Sequence, residues 1–597
     1  MLCAALAETL RLRQGSRFTT YKTCVWEVLR SDDHAGNALV AANGEMVFRM
    51  GRLTQMCRTS GSLLFLPACL VVGALLAAPI DLLWAQTPSS VPLTTQKPQQ
   101  EDTADSAESI MPSPQEPGRS QPTRSEGSPR ETTMSATNRV VDIGFGILGG
   151  GTMGPTPYKP LRYDEDWSYL KDPTRRTDFW DPIKYIPFGG RDDVYLSIGG
   201  EARIRYEFFR NESLGSAPAN HDGKNDYALQ RYMLHADLHV GSRVRFFGEM
   251  WSGIESGRIG GPRPDIDKDS FDVHQAFVDI VLPLGNTDTL TWRVGRQEMT
   301  YGGRRLIDVR GAQTLRRSFD AARFLLRVGE WSVDGFFSKP VRNQPNVFDN
   351  SSDSNRTLWG LYAVHPLAFL PDGHVDLYYL GFEDQEGRFD QGTAYELRHT
   401  LGTRLWGQPL PWEYNFEFLW QFGSFGSGTI QAWAVATATY YNFDRLPLRP
   451  RLGLAADITS GDRDPKSANL QTYNPLFPTG AFFNLQDPAG PQNVMHLHPF
   501  LDVHLTESLT ATADWGFWWR QSPDDAVYRI SGAPFRSGQQ SQSLYVGNSP
   551  AVTVTWRATS HLTLLAGYVH FFSGTFFQET PPDKDVDYFT TWMTYMF

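Results

Sequence analysis

The sequence predicts an all-β fold: a transmembrane antiparallel β-barrel of about 18 strands (16 to 20), preceded by a signal peptide and a disordered linker. Two observations predict the barrel. Apolar and polar residues alternate with period 2 from Asp193 onward, and the last strand-like run ends on the aromatic Phe597. Such alternation is typical of a wall that has lipid on one face and water on the other. Phe597 shares a face with Tyr595 and Met593, as expected of an aromatic girdle at a membrane interface.

The composition is compatible with a membrane barrel. Mean hydropathy is −0.37 over 597 residues, which is too polar for a bundle of membrane helices. A barrel needs apolar side chains only at every second position of each strand, so its average can resemble that of a soluble protein. The formal net charge of −11 argues against nucleic-acid binding, which needs a basic surface. We therefore expect no nucleic-acid partner.

The N-terminal part of the chain contains a predicted targeting segment. The run Leu63–Ala78 is apolar and follows two arginines, and the small residue Ala85 comes shortly after it. This is the pattern of a secretory signal peptide, which we assign to residues 50–85. A membrane anchor is the alternative, but the run is short for a spanning helix. Residues 1–49 are then an upstream segment that precedes the true initiator.

Two further segments are expected before the barrel. Residues 86–139 are rich in Pro, Ser, Thr and Gln and lack aromatic residues, so they cannot bury enough apolar surface to fold. We interpret them as a disordered periplasmic linker. Residues 140–192 become aromatic and are interpreted as a lead-in or plug segment before the barrel at 193–597. The four cysteines all precede the predicted cleavage point, so the mature protein would contain none, as suits an oxidising compartment.

The first strand-like runs set the pattern for the rest. Arg203 and Arg205 alternate with Ile204 and Tyr206, and the second and third runs are separated only by Gly241 and a serine. A connection this short predicts a periplasmic hairpin. Further alternating runs lie near 274–282, 290–297, 322–328, 331–337, 359–364, 375–382, 395–405, 413–421, 430–441, 451–458, 496–504, 509–519, 551–557, 562–572 and 586–597.

Several segments of the barrel region resemble the alginate-export family of outer-membrane porins. The resembling segments are Gln230–Leu238, His274–Asp279, Val294–Gly302, Arg316–Asp320, Thr459–Asp462, Tyr473–Phe477, Asp525–Tyr528 and Ala566–Phe597. The resemblance implies an 18-stranded barrel in the bacterial outer membrane. It also implies that an anionic uronate polymer diffuses out through a constriction lined by arginines.

Alternation selects the arginines that should face the lumen. They are Arg203, Arg205, Arg231, Arg243, Arg245 and Arg293. Strict parity places Arg296 on the lipid face, unless a bulge at Gly295 resets the phase or the strand has already left the bilayer. Guanidinium groups stay charged and bind carboxylates in a planar fork, so a ring of them would concentrate a polyanion. The alternative for each arginine is a wall salt bridge to an acid such as Glu201, Asp237 or Glu249.

Three positions depart from the family's pattern. His239, His274 and Glu298 stand nearest to positions where the family carries constriction arginines. This departure weakens the case for alginate in particular. A lumen that mixes His, Glu and Arg could suit another acidic glycan, a smaller solute or no selective substrate at all. We predict no cofactor and no metal. His235 and His239 are four residues apart, which on a strand separates them by roughly 13 Å.

Three functions compete at this point. The first is a passive channel for an acidic polysaccharide or a smaller anionic solute. The second is an outer-membrane enzyme with a hydrolytic site on the wall or rim, for which His496 and His498 are candidates. The third, a soluble sheet protein, would expose the outward aromatic rows to water. For the channel we expect membrane lipid, the barrel-assembly machinery (through Phe597) and a periplasmic export partner as contacts.

Overall fold

The computed structural model describes residues 158–597, which form a closed antiparallel β-barrel of 18 strands. Each strand pairs with its neighbours in chain order. The last strand also pairs with the first, from Glu201 opposite Met596 to Arg210 opposite Asp587, and this pairing closes the wall. The predicted fold class and strand number are therefore confirmed.

The predicted segments 1–49, 50–85 and 86–139 lie outside the described residues, as do residues 140–157 of the lead-in. Their assignments stay predictions.

The barrel strands are numbered in chain order. They are β1 Arg191–Arg210, β2 Lys224–Val240, β3 Val244–Ser256, β4 Asp269–Pro283, β5 Thr289–Gln297, β6 Phe319–Val328, β7 Trp331–Arg342, β8 Arg356–Leu367, β9 Gly373–Phe389, β10 Gly392–Gly407, β11 Trp412–Phe425, β12 Gly428–Asn442, β13 Arg451–Thr459, β14 Val494–His504, β15 Leu509–Arg520, β16 Tyr545–Arg557, β17 Leu562–Ser573 and β18 Val586–Met596.

Short elements accompany the wall. The additional strands are Ile186–Phe188, Ser351–Ser352, Val527–Tyr528 and Pro534–Arg536. The helices are α1 Asp181–Lys184 and α2 Thr575–Glu579, with 3₁₀ turns at Arg162–Asp164, Ser168–Lys171, Pro173–Arg175, Glu212–Gly215 and Gly538–Gln540. None of the helices in the described part of the chain has the length and apolarity that a bilayer crossing requires.

Period-2 alternation becomes the two faces of the wall. On β1, Ile204 and Tyr206 are 42% and 38% exposed, whereas Arg203 and Arg205, which alternate with them, are 4% and 5% exposed. Side chains alternate across a strand, so the apolar set faces outward and the charged set faces the lumen. The outward set would be costly to expose to water but is suited to lipid.

The two ends of the barrel differ in their connections. Short turns join β2 to β3 and β6 to β7, and Gly241 in the first has a positive φ of 63° that a side chain would resist. Short turns mark the periplasmic end of such barrels, which confirms the predicted hairpin. At the other end, residues 298–318, 460–493 and 521–544 form long connections.

These long connections fold back into the barrel. Leu315 in the first, Phe483 in the second and Tyr528 in the third are almost fully buried. Two apolar clusters inside the barrel combine loop residues with inward side chains of the wall, one around Phe483 and Trp518 and one around Phe319 and Tyr473. The lumen is therefore narrowed by protein chain, and the wall arginines meet loop atoms.

Candidate functional site

Most of the predicted lumen arginines lie on the inner face of the wall. Arg203, Arg205, Arg231 and Arg293 are buried there, and Arg245 is half-buried. All five come from β1, β2, β3 and β5, so they occupy one sector of the barrel. We call the inner face of β1 to β5 the charged wall.

Four of these arginines form ion pairs within the wall: Arg205 with Glu207, and three others with acids on neighbouring strands. Arg231 bonds Glu201 at 2.6 and 2.8 Å, from Nη2 and Nε to one carboxylate oxygen. Arg245 bonds both oxygens of Asp237 at 2.6 and 2.7 Å. Arg293 bonds both oxygens of Asp279 at 2.6 and 2.7 Å. At these three positions the wall salt bridge, the alternative weighed for each arginine, is the arrangement found.

The charged wall also holds the connection between β5 and β6. We call residues 298–318 the arginine loop. Arg203 donates to the carbonyl oxygens of Gly311 (2.8 Å) and Gln313, and Arg205 donates to that of Ala312 (2.6 Å). Arg231 also donates to Gln313 O at 2.9 Å, and Arg205 contacts Glu207. Charge-assisted bonds to backbone carbonyls therefore fix the tip of the loop against the wall.

Two predicted arginines lie elsewhere. Arg243 is exposed in the turn before β3, since that strand begins at Val244. Arg296 stays in regular register beyond Gly295, opposite Ala276, so no bulge resets its phase. Arg296 is half-buried near the end of β5 that leads into residues 298–318, and it bonds Asp320 at 2.9 and 3.2 Å. The second explanation, a strand end that has passed the apolar band, fits this ion pair.

The three positions that depart from the family's pattern all face the lumen side. His239 lies near the periplasmic end, 3.1 Å from Asp237 and stacked on Tyr195. His274 is almost fully buried and bonds Glu298 at 2.8 Å. Burial acts to raise the pKa of Glu298, but the Arg316 guanidinium and the His274 bond together lower it to about 2. Glu298 is therefore a permanent anion at the start of the arginine loop.

Sequence reasoning overlooked the arginine loop itself. It contains five arginines and only two acids, Glu298 and Asp308. A loop has no periodicity, and only this local excess of arginine between two strands could have signalled it. The loop arginines are Arg304, Arg305, Arg310, Arg316 and Arg317.

The loop arginines divide into two groups. Arg305 bonds Glu417 across the lumen at 2.8 Å, Arg316 pairs with Glu298, and Arg304 is 3.6 Å from Asp308. Arg310 and Arg317 instead donate to backbone carbonyls, of Asp265 at 3.1 Å and of Asp308 at 3.0 Å respectively. Within residues 158–597 neither guanidinium has a carboxylate oxygen within 4 Å. These two half-buried guanidiniums carry positive charge that no ion pair neutralises.

The described part of the lead-in occupies the periplasmic end of the lumen. Tyr163 packs edge-on against two phenylalanines of the wall and donates to Glu298 O at 2.8 Å. Arg162 donates to the carbonyl oxygens of Gly200 and Phe597, both at 3.0 Å. Lys184 lies among aromatic rings, and burial lowers its pKa to about 8. The segment therefore ties the end of the chain to the start of the barrel, and its role as a plug stays a proposal.

The opposite side of the barrel has a different inner surface. The inward row of β12 contains Ala432, Ala434, Ala436 and Ala438, all buried. We call this row, with the inner face of β13, the alanine wall. Residues 460–493, which we call the long loop, pack against it through Tyr473 and Phe483. Small side chains leave the space into which this loop fits.

The two histidines considered for an enzyme belong to β14 beside the alanine wall. His496 is 3.3 Å from Asp457, and His498 bonds Asp514 at 2.8 Å. Their rings also pack against Phe483 and Phe500. Across residues 158–597 no serine hydroxyl is hydrogen-bonded to a histidine.

A comparison with protein families gives one match. A family model described as alginate export matches residues 194–590, about two thirds of the chain. This match confirms the resemblance drawn from the sequence motifs. No curated protein matches the chain.

Several solved structures are similar in shape at low sequence identity. A BenF-like porin from Pseudomonas fluorescens Pf-5 is 12% identical, with a TM-score of 0.47, over 67% of this chain and 98% of that chain. OpdK of Pseudomonas aeruginosa, crystallised with vanillate, is 10% identical with a TM-score of 0.46, over 67% and 98%. OccK2 (OpdF) of the same organism, in complex with glucuronate, is 11% identical with a TM-score of 0.43, over 67% and 96%.

Proposed function

The chain belongs to the alginate-export family and forms a channel of the bacterial outer membrane, and we propose that this channel passes an acidic polysaccharide or a smaller acidic solute by diffusion. We further propose that the arginine loop, more than the charged wall, selects for anions. Membership of this family supports the channel function. The solute, its path and its selectivity are the proposal.

One observation carries the proposal. Arg310 and Arg317 lie in a loop that folds into the barrel, and their partners are backbone carbonyls. The wall arginines Arg231, Arg245 and Arg293 are each matched by a carboxylate, so they contribute little net charge. A charge that is not paired attracts a mobile anion far more strongly than a neutralised pair does.

The same arrangement explains how a polyanion would pass without being trapped. A guanidinium offers a planar fork to a carboxylate, and it stays charged at any relevant pH. Arg310 and Arg317 are two such groups, and their partly exposed side chains would provide weak, exchangeable sites along the path. Conduction requires sites that are favourable enough to enter and weak enough to leave.

Single-channel recording in planar bilayers tests the selectivity. We expect wild-type protein to prefer anions, and we expect R310Q/R317Q to lose most of that preference. The control R191Q/R449Q removes the same charge from exposed ion pairs and should keep the wild-type preference. R205Q/R245Q should have a smaller effect than R310Q/R317Q, because both of these arginines contact an acid.

The solute class is tested by blocking the same current. Oligomers of a uronic acid should interrupt the wild-type current at lower concentration than a neutral glucan of equal length, and R310Q/R317Q should reduce the difference. A cation-selective wild type, or equal block by the neutral glucan, would refute the proposal.

Two partners named from the sequence stay predictions. The assembly machinery is expected to read Phe597, which in the folded barrel stacks on Trp180 at 4.5 Å and exchanges backbone hydrogen bonds with Gly200. The periplasmic export partner would meet the chain on the side of the lead-in.

A further inference from the structure

A group of buried ionisable side chains lies where the arginine loop leaves the charged wall. Glu249 on β3, His274 on β4 and Glu298 at the start of the loop each offer one donor atom, and these atoms lie within 4.8 Å of one another. Each of the three residues is about 1% exposed. Three elements that are distant in sequence therefore converge on one point.

A β-bulge brings His274 into this group. The register of β3 and β4 shifts between Glu249, which faces Gln275, and Met250, which faces Val273. His274 is the extra residue, and both it and Gln275 are buried on the inner side. Bulges are used in this way to re-aim a side chain, often beside a functional site.

The hydrogen bonding of the group is incomplete. Among residues 158–597, Oε2 of Glu249 and Nδ1 of His274 have no hydrogen-bond partner, although both atoms are buried. Nδ1 of His235, on β2, is also without a partner and points to the same place, 3.7 Å from Oε2 of Glu249. Buried polar atoms are nearly always satisfied, so unsatisfied atoms on these neighbouring side chains need an explanation.

The local charge is also unbalanced. Arg316 neutralises Glu298 through two bonds, and Arg231 neutralises the neighbouring Glu201. Among residues 158–597, the amide of Gln275, at 3.0 Å, is the only group that hydrogen-bonds Glu249. An unpaired carboxylate buried away from water is strongly unfavourable. A cation at this point would balance the charge of Glu249 and bind its free oxygen.

We propose that Glu249, His274 and Glu298 form a binding site for a divalent transition-metal ion, with zinc as the expected metal. Imidazole nitrogen with carboxylate oxygen is the donor set of many zinc sites, and bonds of roughly 2.0–2.2 Å need only a modest closing of the group. The ring of His274 is already fixed by stacking on Trp251 at 4.1 Å. Bound metal would join β3 and β4 to the base of the arginine loop.

The test measures metal directly, on full-length protein without a histidine tag, folded in detergent and loaded with Zn²⁺ before exhaustive dialysis. We expect about one zinc per chain by plasma mass spectrometry. E249Q and H274Q should each weaken zinc binding by at least about tenfold. The matched control is H498Q, because His498 is an equally buried wall histidine with a single acidic partner, Asp514; it should retain full occupancy.

Heat-modifiable migration on a gel verifies that each variant is folded, so loss of metal is not confused with loss of structure. If neither E249Q nor H274Q folds, Co²⁺ added to wild-type protein decides the question. Visible d–d absorption that Zn²⁺ abolishes supports a mixed nitrogen and oxygen site. Absence of that absorption, substoichiometric zinc in the wild type, or full occupancy in folded E249Q and H274Q would overturn the proposal.

Discussion

The charged wall and the alanine wall each hold a loop inside the same barrel, but by different means. On the charged wall, Arg203 and Arg231 donate to carbonyl oxygens at the tip of the arginine loop. On the alanine wall, Ala434 and Ala436 leave room for aromatic side chains of the long loop. One loop is bound by directed polar bonds and the other by close apolar packing. A loop that narrows the lumen can therefore be held either by charged side chains or by packing against small ones.

Two buried loop carboxylates have pKa values that are shifted in opposite directions. Glu298, beside the charged wall, has its pKa lowered because an arginine faces it. Asp525, in the connection from β15 to β16, is fully buried, and Arg520 donates to its backbone carbonyl at 3.0 Å. Burial raises its pKa, and the bonds from Thr472 and Tyr528 only partly offset this, so the pKa is about 6.

The largest expected effect comes from removing polar bonds of the charged wall. R203Q/R231Q removes bonds to Gly311 and Gln313 and leaves Glu201 buried without its partner. Loss of one partner of a buried ion pair typically costs about 3–5 kcal/mol. We expect a loss of that order in unfolding free energy, measured with urea in lipid vesicles, and a larger single-channel conductance as the loop leaves the lumen.

The control for that experiment is R342Q, which breaks an exposed ion pair to Asp353 and should change stability by less than about 1 kcal/mol. Adding E201Q to R203Q/R231Q should recover part of the loss, because the orphaned charge is then removed. Wild-type stability in R203Q/R231Q would show that the wall does not hold the loop by these bonds.

A smaller effect is expected from filling the space on the alanine wall. A434F inserts a ring where Tyr473 packs, and overpacking of this kind usually costs about 1–3 kcal/mol. The matched control is V435F, the next residue on β12, which faces outward and should be tolerated. Protease cleavage within residues 460–493, faster in A434F and unchanged in V435F, would measure displacement of the long loop. Equal cleavage in both variants would contradict the packing argument.

The smallest effect is a dependence on pH at Asp525. Its pKa is about 6 in the folded protein and about 3.8 in the free group, so the folded state binds the proton more tightly. The resulting stability is fully present below about pH 4 and is lost as the pH rises through 6, and on the order of 2 kcal/mol of it is lost between about pH 4.5 and about pH 7.

D525N should therefore flatten the stability profile between pH 4.5 and about pH 7 relative to wild type. The difference between the two proteins isolates this group, because Glu298 titrates at lower pH and in the opposite direction. Parallel profiles for wild type and D525N over that interval would count against a raised pKa.

The sequence determined the two faces of the wall, because alternation is a local property of each strand. Alternation assigns Arg203, Arg205, Arg231 and Arg293 to the inner face, and these side chains are buried on that face in the structure. It misplaced Arg243, since the start of β3 at Val244 is set by the turn and not by the period. Local pattern is thus reliable within strands and fails at their ends.

Tertiary structure decided what those inward side chains meet. Arg203 and Gly311 are 108 positions apart, and no periodicity connects a wall strand to the loop that covers it. The inward aim of His274 depends on a bulge that exists only in the pairing of β3 with β4. The partners, burial and net charge of the lumen side chains depend on which distant segments the closed barrel brings together. The barrel itself follows from the alternation of apolar and polar residues along each strand.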